Sequence, residues 1–217
     1  MKKNNLGKNN SIFSHFIREI RDKKIQKDAM RFRRNIERIG EIFAYEISKE
    51  MEYKSKNILT PLGSCSEKLM TENPVLATVL RAGLPLHQGL LNYFDRSDNC
   101  FISAFRKPRK GNSFEIKVEY MSSPNLDGKT VIICDPMIAS GSSMVMAIEA
   151  ILRKGRPKTI HIVGVIASSE GINYIDRYCP FNNCILWIGA EDDELNEKSY
   201  IIPGLGDAGD LAFGKKL

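Results

Sequence analysis

The stretch from Val131 to Ser143 carries the residue types that most clearly suggest chemistry. It reads Val-Ile-Ile-Cys-Asp-Pro-Met-Ile-Ala-Ser-Gly-Ser-Ser, an apolar strand-like segment that breaks into small hydroxyl residues. Successive N–H groups of such a loop, placed before a helix, form a concavity that binds phosphate. Asp135, at the end of the apolar segment, can accept hydrogen bonds from sugar hydroxyls. The segment therefore predicts a phosphate site beside a carboxylate, and a helix N-cap at Ser142 or Ser143 is the structural alternative.

The elements around this segment indicate an α/β protein. Apolar residues recur at helical spacing in residues 11–23 and about 29–51, which predicts two helices. Strand-like apolar runs then alternate with helical patterns. Strands are predicted at 75–80, 100–105, 114–120, 131–134, 159–167 and 185–188, and helices at 85–94, 143–154 and 170–178. This alternation predicts βαβ units and a parallel sheet, whose strands bind ligands at their carboxyl ends.

Two further segments differ from this pattern. Residues 107–111 are polar and basic between two predicted strands, which predicts an exposed, mobile hairpin. Residues from about 191 to 217 begin with an acidic run and continue as a Gly-rich segment that we interpret as non-periodic. We expect a single domain, 1–217, with N-terminal helices at 11–51, a core at about 74–190 and this C-terminal segment.

Composition and charge limit the classes of function. The chain has 217 residues, of which 42% are hydrophobic and 27% charged, as in an ordinary globular protein. The longest near-continuous apolar stretch, residues 160–167, is too short to cross a bilayer, so we expect a cytoplasmic protein without a membrane partner. The net charge of +6 comes from the N-terminal region. There the basic residues alternate with apolar ones at helical spacing, which favours a solvated helix face over a nucleic-acid site.

Cysteines and histidines give little support for metal or nucleophile chemistry. The five cysteines are odd in number and none forms a C-x-x-C pair, so we interpret them as buried reduced thiols. The three histidines are scattered along the chain, which argues against a metal site or a catalytic triad. We name no protein metal ligand.

Val131 to Ser143 also resembles the motif that binds phosphoribosyl diphosphate (PRPP) in the type I phosphoribosyltransferases. In that motif a hydrophobic strand leads to acidic residues and a Thr-Gly-x-Thr/Ser loop. The Asp135-Pro136-Met137 version resembles the uracil phosphoribosyltransferase branch. The resemblance runs from Arg21-Asp22-Lys23 to the segment Tyr200–Asp210. It implies a type I phosphoribosyltransferase-like open parallel sheet flanked by helices, with a C-terminal hood and a protruding β-hairpin.

The resemblance implies roles for individual residues. PRPP binding is implied for Arg81, Arg106, Asp135, Pro136, Met137, Ile138, Ala139, Ser140, Gly141, Ser142, Ser143 and Asp207. Uracil binding is implied for Ile201, Gly206, Asp207 and Ala208. Asp135, Arg81 and Arg106 are the residues expected to act in catalysis. A guanidinium can bind phosphate oxygens bidentately, which agrees with the arginine assignments.

The reaction implied is the displacement of diphosphate from PRPP by uracil, giving UMP. Pro136 stands where the wider superfamily has a second acidic residue, so Mg²⁺ is expected to be carried by PRPP and held by substrate and water. The resemblance also implies a homodimer or a higher homo-oligomer. Two alternatives remain open, namely transfer to another base and an RNA-binding pyrimidine regulator on the same fold.

The chain departs from the family pattern at a few positions. Ser142 replaces a usual glycine, and it would be strained if its backbone required a positive φ. Leu211 stands where arginine is common, and Ile25 where threonine is usual.

Overall fold

The computed structural model describes residues 1–108 and 114–216. Within these residues the helices are α1 Phe13–Arg21, α2 Ala29–Ser48, α3 Leu84–Tyr93, α4 Ser142–Leu152, α5 Ser169–Tyr178 and α6 Ala208–Phe213. The strands are β1 Lys2–Asn5, β2 Tyr53–Thr60, β3 Gly63–Met70, β4 Val75–Leu80, β5 Asn99–Pro108, β6 Phe114–Ser122, β7 Thr130–Cys134, β8 Met137–Ile138, β9 Thr159–Ser168, β10 Cys184–Asp192, β11 Glu194–Leu195 and β12 Ile201–Ile202. Short 3₁₀ helices lie at Leu6–Lys8 and Ile25–Lys27.

The central sheet has the strand order β1-β10-β9-β7-β4-β5-β6, and β8 adds to β9. Its pairings are parallel except for the antiparallel pairing of β5 with β6. The parallel strands are connected through helices, as right-handed βαβ crossovers require. The predicted open parallel sheet flanked by helices is therefore confirmed.

The sheet is covered on both faces, which explains why its inner strands are apolar throughout. Alternate residues of β7 point in opposite directions, so Ile132 packs with the N-terminal helices whereas Ile133 packs with α4 and α5. The predicted apolar stripe of α2 is buried against the first face, with Ile39 and Phe43 fully inaccessible.

Several elements were not predicted, among them β1, the β2–β3 hairpin and α6. β1 forms a parallel edge strand beside β10, although its sequence is polar. β2 and β3 form a separate antiparallel hairpin whose residues are mostly exposed. α6 lies inside the C-terminal segment, so the interpretation of that segment as non-periodic was wrong for Ala208–Phe213.

The predicted hairpin around Lys107–Gly111 lies only partly within the described residues. The backbones of β5 and β6 pair up to Pro108 and Phe114. Residues 109–113 lie outside the described residues, so the exposure and mobility expected of this hairpin stay predictions.

The cysteine interpretation holds only in part. Cys100, Cys134 and Cys184 are buried free thiols, but Cys65 on the β2–β3 hairpin is exposed and Cys179 is partly exposed. The interpretation failed at Cys65 because that hairpin has no covering layer.

Two of the three histidines are buried in the fold beside aromatic residues. His161 is buried, and its Nδ1 accepts a hydrogen bond from Trp187 Nε1 at 3.0 Å. His87 is also buried, beside the ring of Phe101.

Among the described residues, no helix is both long enough and apolar enough to cross a membrane.

Candidate active site

One cleft of about 830 Å³ lies at the carboxyl edge of the sheet. Three segments meet there because β4 and β7 are adjacent and the C-terminal segment folds over their ends. The cleft is lined by Val79, Leu80, Arg81, Ala82, Ser103, Asp135, Met137, Ala139, Ser143, Ser199, Tyr200, Ile201, Gly206, Asp207, Ala208, Gly209 and Lys216. The loops after two neighbouring parallel strands thus share one site with residues that are distant in sequence.

The loop after β7 is fixed by hydrogen bonds that residues of β9 donate to its backbone carbonyls. The carbonyl of Pro136 accepts from Val165 N and Ile166 N at 3.1 and 3.0 Å. The carbonyl of Ala139 accepts from the hydroxyl of Ser168, which itself caps α5. These contacts hold the loop in place without using the side chains of Ser140, Ser142 and Ser143.

The turn into α4 is made by Gly141, whose φ is 77°. A Cβ on Gly141 would lie 2.5 Å from the carbonyl oxygen of Gly171, so the position accommodates only glycine. Ser142 is the first residue of α4 and lies in the helix. The strain considered for Ser142 is therefore absent, since the positive φ falls one residue earlier.

Neither Ser142 nor Ser143 caps α4. The N-cap residue is Gly141, and no side chain accepts a hydrogen bond from the first turn. The hydroxyl oxygens of Ser140 and Ser142 lie 2.8 Å apart and hydrogen-bond to each other. The alternative of a simple helix cap is thus wrong, and the N-terminal N–H groups of α4 have no side-chain acceptor.

Asp135 follows the buried strand β7 and is only partly exposed to the cleft. Its Oδ1 accepts a hydrogen bond from Met137 N at 3.2 Å. Burial raises the pKa of Asp135 from 3.8 to about 7, and this hydrogen bond only partly opposes the increase. The carboxyl group therefore has unused acceptor capacity and gains from any further donor brought by a ligand.

The loop after β4 places Arg81 at the opposite wall of the cleft. Gly83 packs so closely on Thr78 and Val79 that a Cβ would overlap both, and the Leu80–Arg81 peptide bond is cis. Arg81 Nη2 donates to Asp210 Oδ1 at 2.9 Å and to the carbonyl of Gly214 at 2.6 Å. The arginine thus connects the β4 loop to the C-terminal helix.

The C-terminal segment is anchored by a buried ion pair. Asp192, which is 7% exposed, accepts two hydrogen bonds from Arg21, each 2.8 Å long. The same carboxylate accepts from Gly204 N at 2.9 Å, and Arg21 also donates to the carbonyl of Gly204. Because this bidentate pair joins α1, β10 and the 203–206 turn, it fixes the hood over the sheet edge.

Asp207 lies where the hood meets α6. Its Oδ1 caps this helix by accepting from Asp210 N at 2.9 Å, and its Oδ2 is 3.7 Å from Lys216 Nζ. Gly206, which precedes it, has a φ of 95°. The turn therefore presents backbone groups to the cleft with little bulk.

The structure brings most of the predicted site residues to this cleft. Arg81, Asp135, Met137, Ala139, Ser143, Ile201, Gly206, Asp207 and Ala208 all line it. Pro136, Ile138, Ser140, Gly141 and Ser142 belong to the same loop but do not line the cleft, and Ile138 is 2% exposed and packs beside Gly164. Arg106 pairs with Ile116 through its backbone, and its side chain lies outside what the structure describes.

Sequence reasoning missed several lining residues. Val79, Leu80 and Ala82 lie next to the predicted residue Arg81, and Tyr200 and Gly209 belong to the segment Tyr200–Asp210, so these five could have been inferred from their neighbours in sequence. Ser103, Ser199 and Lys216 lie outside those segments. Nothing local in the sequence indicates that Lys216, near the C-terminus, reaches this edge.

The fold is that of the type I phosphoribosyltransferases. A hypoxanthine phosphoribosyltransferase structure from Staphylococcus aureus shares this fold, with a TM-score of 0.51 and 11% identity, over 78% of this chain and 83% of that one. The structure of the AQ2163 protein from Aquifex aeolicus is more similar, with a TM-score of 0.85, 29% identity and 98% coverage of both chains.

The chain belongs to the uracil phosphoribosyltransferase family. The family model described as uracil phosphoribosyltransferase matches residues 8–215. A uracil phosphoribosyltransferase from Porphyromonas gingivalis is 51% identical over 212 residues, which are 98% of each protein. One from Thermococcus gammatolerans is 39% identical over 93% of this chain and 88% of that protein.

Proposed function

We propose that this protein transfers the phosphoribosyl group of PRPP to N1 of uracil, producing UMP and diphosphate. The observation that carries the proposal is one cleft that joins the loop after β7 to the hood. The loop after β7 has the features of a phosphate site, and the hood presents backbone groups in a rigid turn. Family membership gives the same reaction.

Binding of PRPP would use three parts of the cleft. The 5′-phosphate fits the N-terminal N–H groups of α4, which carry partial positive charge and have no side-chain cap. The ribose hydroxyls would donate to Asp135, and the diphosphate would lie toward Arg81. As the bond to diphosphate breaks, positive charge develops on the ribose, so the enzyme contributes mainly positioning and electrostatic stabilisation.

Uracil would bind at the hood, where Ile201, Gly206, Asp207 and Ala208 line the cleft. The base offers acceptors at O2 and O4 and a donor at N3, which backbone groups can match. Because Arg21 and Asp192 fix the 203–206 turn within this segment, little ordering is required when the base binds.

Mg²⁺ is proposed to enter with the diphosphate of PRPP, where it adds positive charge that stabilises the departing group. The carboxylates near the diphosphate side already have protein partners, since Asp207 caps α6 and Asp210 pairs with Arg81. No cluster of three or more His, Cys, Asp or Glu side chains occurs in the part of the chain that the structure describes. This donor set fits a metal held by substrate oxygens and water.

A homodimer or higher homo-oligomer is also proposed. The β2–β3 hairpin extends away from the central sheet, and Leu59 and Leu62 near its tip are 88% and 100% exposed. An isolated two-stranded hairpin is marginally stable in water, and exposed apolar side chains favour a partner. A second copy of the chain is the partner that we propose. The cytoplasmic location expected from the sequence stays a prediction.

A comparison of bases tests the proposed reaction. Purified protein with Mg²⁺ and PRPP is incubated separately with uracil, adenine and hypoxanthine, and nucleotide formation is followed by chromatography. We expect UMP from uracil and no purine nucleotide. Turnover with a purine but not with uracil would overturn the proposed specificity.

A further inference from the structure

The guanidinium of Arg81 is held at one end by the C-terminal helix. Its Nη2 has two acceptors, the carboxylate of Asp210 at 2.9 Å and the carbonyl of Gly214 at 2.6 Å. The N–H groups of Nη2 are therefore both used within the protein. A guanidinium in this arrangement has a defined orientation instead of the many rotamers of a free arginine.

The acceptors are themselves fixed. Asp210 N is capped by Asp207, and Gly214 N donates to the carbonyl of Asp210 at 2.9 Å. The far end of α6 is tied to α2 because Arg33 Nη1 donates to the carbonyl of Ala212 at 2.6 Å. Ala212 is also buried. Helix α6, which holds the guanidinium of Arg81, is thus itself packed into the fold.

The Nη1 donors of Arg81 are left for a ligand. Nη1 has no hydrogen-bond partner within the described residues, on a side chain that is 35% exposed. A charged N–H donor without a protein acceptor can bind an oxygen of an anionic ligand. The side chain also lines the cleft beside Asp207, so these donors lie where an anionic substrate would bind.

We propose that Asp210 is a positioning residue for diphosphate recognition, because its carboxylate holds Arg81 Nη2 and leaves Nη1 for diphosphate oxygens. This inference rests on the proposed function. It assigns Asp210 no contact with the substrate. The arrangement lowers the net positive charge at Arg81, but it removes the entropy cost of ordering a long side chain when PRPP binds.

Three variants test this role, Asp210→Ala, Asp210→Asn and the control Asp176→Ala. Asp176 is an exposed carboxylate paired with the N-terminus, so its loss changes the net charge equally without involving the cleft. PRPP binding is measured by calorimetry without a base, and KM for PRPP and for uracil are measured with the full chain.

We expect Asp210→Ala to weaken PRPP binding roughly tenfold, the loss of one hydrogen bond to a charged group. KM for uracil should stay close to the wild-type value. Asp210→Asn keeps an acceptor oxygen and should recover part of the loss, whereas Asp176→Ala should bind PRPP like the wild type. A purely structural role would instead raise both KM values and lower the melting temperature.

The outcomes separate this inference from the proposed function. If wild-type protein binds PRPP and Asp210→Ala binds it equally well, the positioning role is wrong but the reaction stands. If wild-type protein fails to bind PRPP, both are wrong. Equal increases in KM for PRPP and uracil would also contradict a role confined to Arg81.

A different observation concerns the turn between α5 and β10, which has the sequence Cys-Pro-Phe-Asn-Asn-Cys. The sulfurs of Cys179 and Cys184 lie 3.5 Å apart. Cys184 is the buried first residue of β10, and Cys179 is partly exposed. The two thiols are therefore in contact, and a reagent in solvent can reach one of them.

The pKa values of the two thiols are shifted in opposite directions. The hydrogen bond from Cys184 lowers the pKa of Cys179 to about 7, and the same contact, with burial, raises the pKa of Cys184. Because the thiolate is the nucleophile in disulfide exchange, Cys179 is the sulfur expected to react first.

The geometry assigns Cys179 and Cys184 as a dithiol site that is oxidised by low-molecular-weight disulfides. The Cys179 thiolate attacks one sulfur of the reagent and releases a thiolate, which leaves a mixed disulfide. Cys184 loses its proton and attacks the Cys179 sulfur, which releases the second thiolate. Two protein thiols are thus oxidised and one reagent disulfide is reduced to two thiols.

The other cysteines serve as internal comparisons. Cys100 and Cys134 are buried, and Cys65 is exposed on the hairpin without a neighbouring thiol in the described structure. Cys184 begins β10 at the amino edge of the sheet, opposite the cleft, so oxidation of the pair can be followed independently of activity.

Oxidised glutathione is the probe. The full chain carrying Cys65→Ser is treated, and free thiols are alkylated before digestion with trypsin. No Lys or Arg lies between Arg177 and Lys198, so both cysteines fall on one peptide. We expect that peptide to lose the mass of two hydrogen atoms and to resist alkylation.

A variant that carries both Cys65→Ser and Cys184→Ser is the comparison. In this variant the reaction should stop at the mixed disulfide of Cys179 with glutathione. Two outcomes would contradict the assignment. One is full alkylation of both cysteines after treatment. The other is a stable glutathione adduct on Cys179 while Cys184 is present.

Discussion

At the scale of single residues, the acid strength of Asp135 depends on its position after β7. The whole of β7 is buried, so the carboxylate that follows it has few water contacts. Burial raises its pKa to about 7, whereas an exposed aspartate has a pKa of 3.8. Between these pH values the folded state binds more protons than the unfolded state, so this residue makes the free energy of unfolding fall as pH rises.

Asp135→Asn is expected to lower kcat/KM for PRPP roughly 100-fold, because it removes the charged acceptor for the ribose hydroxyls. The variant should remain folded, since the carboxylate makes only one hydrogen bond within the described residues, with Met137 N. Its melting temperature should equal or exceed that of the wild type at about pH 8, because it no longer buries a charge. The difference should shrink toward about pH 4. Steady-state kinetics and thermal unfolding over this pH range check both parts.

Near-wild-type kinetics in Asp135→Asn would remove Asp135 from the site. A large drop in melting temperature at alkaline pH would show that the carboxylate stabilises the fold instead.

Site residues that belong to continuous motifs could be identified from the sequence. Their hydrogen-bond partners from distant segments could not. The loop from Asp135 to Ser143 and the hood were both visible as segments of small residues. The partners of Arg81 were not, because Asp210 and Gly214 follow it by more than a hundred residues and no local pattern connects them. Contacts of this kind depend on the folded arrangement of distant segments.

At the scale of elements, the turn into α4 depends on glycine at one position and tolerates serine at the next. Gly141→Ala should lower the free energy of unfolding by roughly 2 to 4 kcal/mol, because it adds left-handed strain and an overlap with the Gly171 carbonyl. Movement of this loop should also raise KM for PRPP. Denaturant unfolding and kinetics measure the two effects.

Ser142→Gly is the matched comparison for Gly141→Ala. It adds backbone freedom in the first turn of α4, and it should cost only about 0.5 to 1 kcal/mol of unfolding free energy. Equal losses in the two variants would contradict the assignment of the left-handed position to Gly141.

Elements with a regular apolar pattern could be predicted, and elements without one could not. The strands β4, β7 and β9 are buried on both faces and stood out as apolar runs. β1 reads Lys-Lys-Asn-Asn and gains its order from pairing with β10. The helix α6 has only six residues and depends on the Asp207 cap and on Arg33, so its own periodicity carries almost no signal.

At the scale of the whole molecule, both ends of the chain close the structure around the sheet. The N-terminal residues form its edge strand, and the C-terminal helix forms a wall of the cleft. The β2–β3 hairpin is the exception, because it pairs only with itself and stays largely exposed. Its exposure is the structural reason to expect a second copy of the chain.

The double variant Leu59→Asp and Leu62→Asp tests this expectation. Placing two charges at the hairpin tip should be unfavourable in an apolar interface and nearly neutral in water, so we expect the homo-oligomer to dissociate. Light scattering coupled to size-exclusion chromatography, over a range of protein concentrations, gives the molar mass. The control is Tyr178→Asp, which changes an exposed aromatic residue on α5 that is 53% accessible. A wild-type protein that is monomeric at every concentration would contradict the proposed assembly. An oligomer that is unchanged in the double variant would show that the hairpin tip does not form the interface.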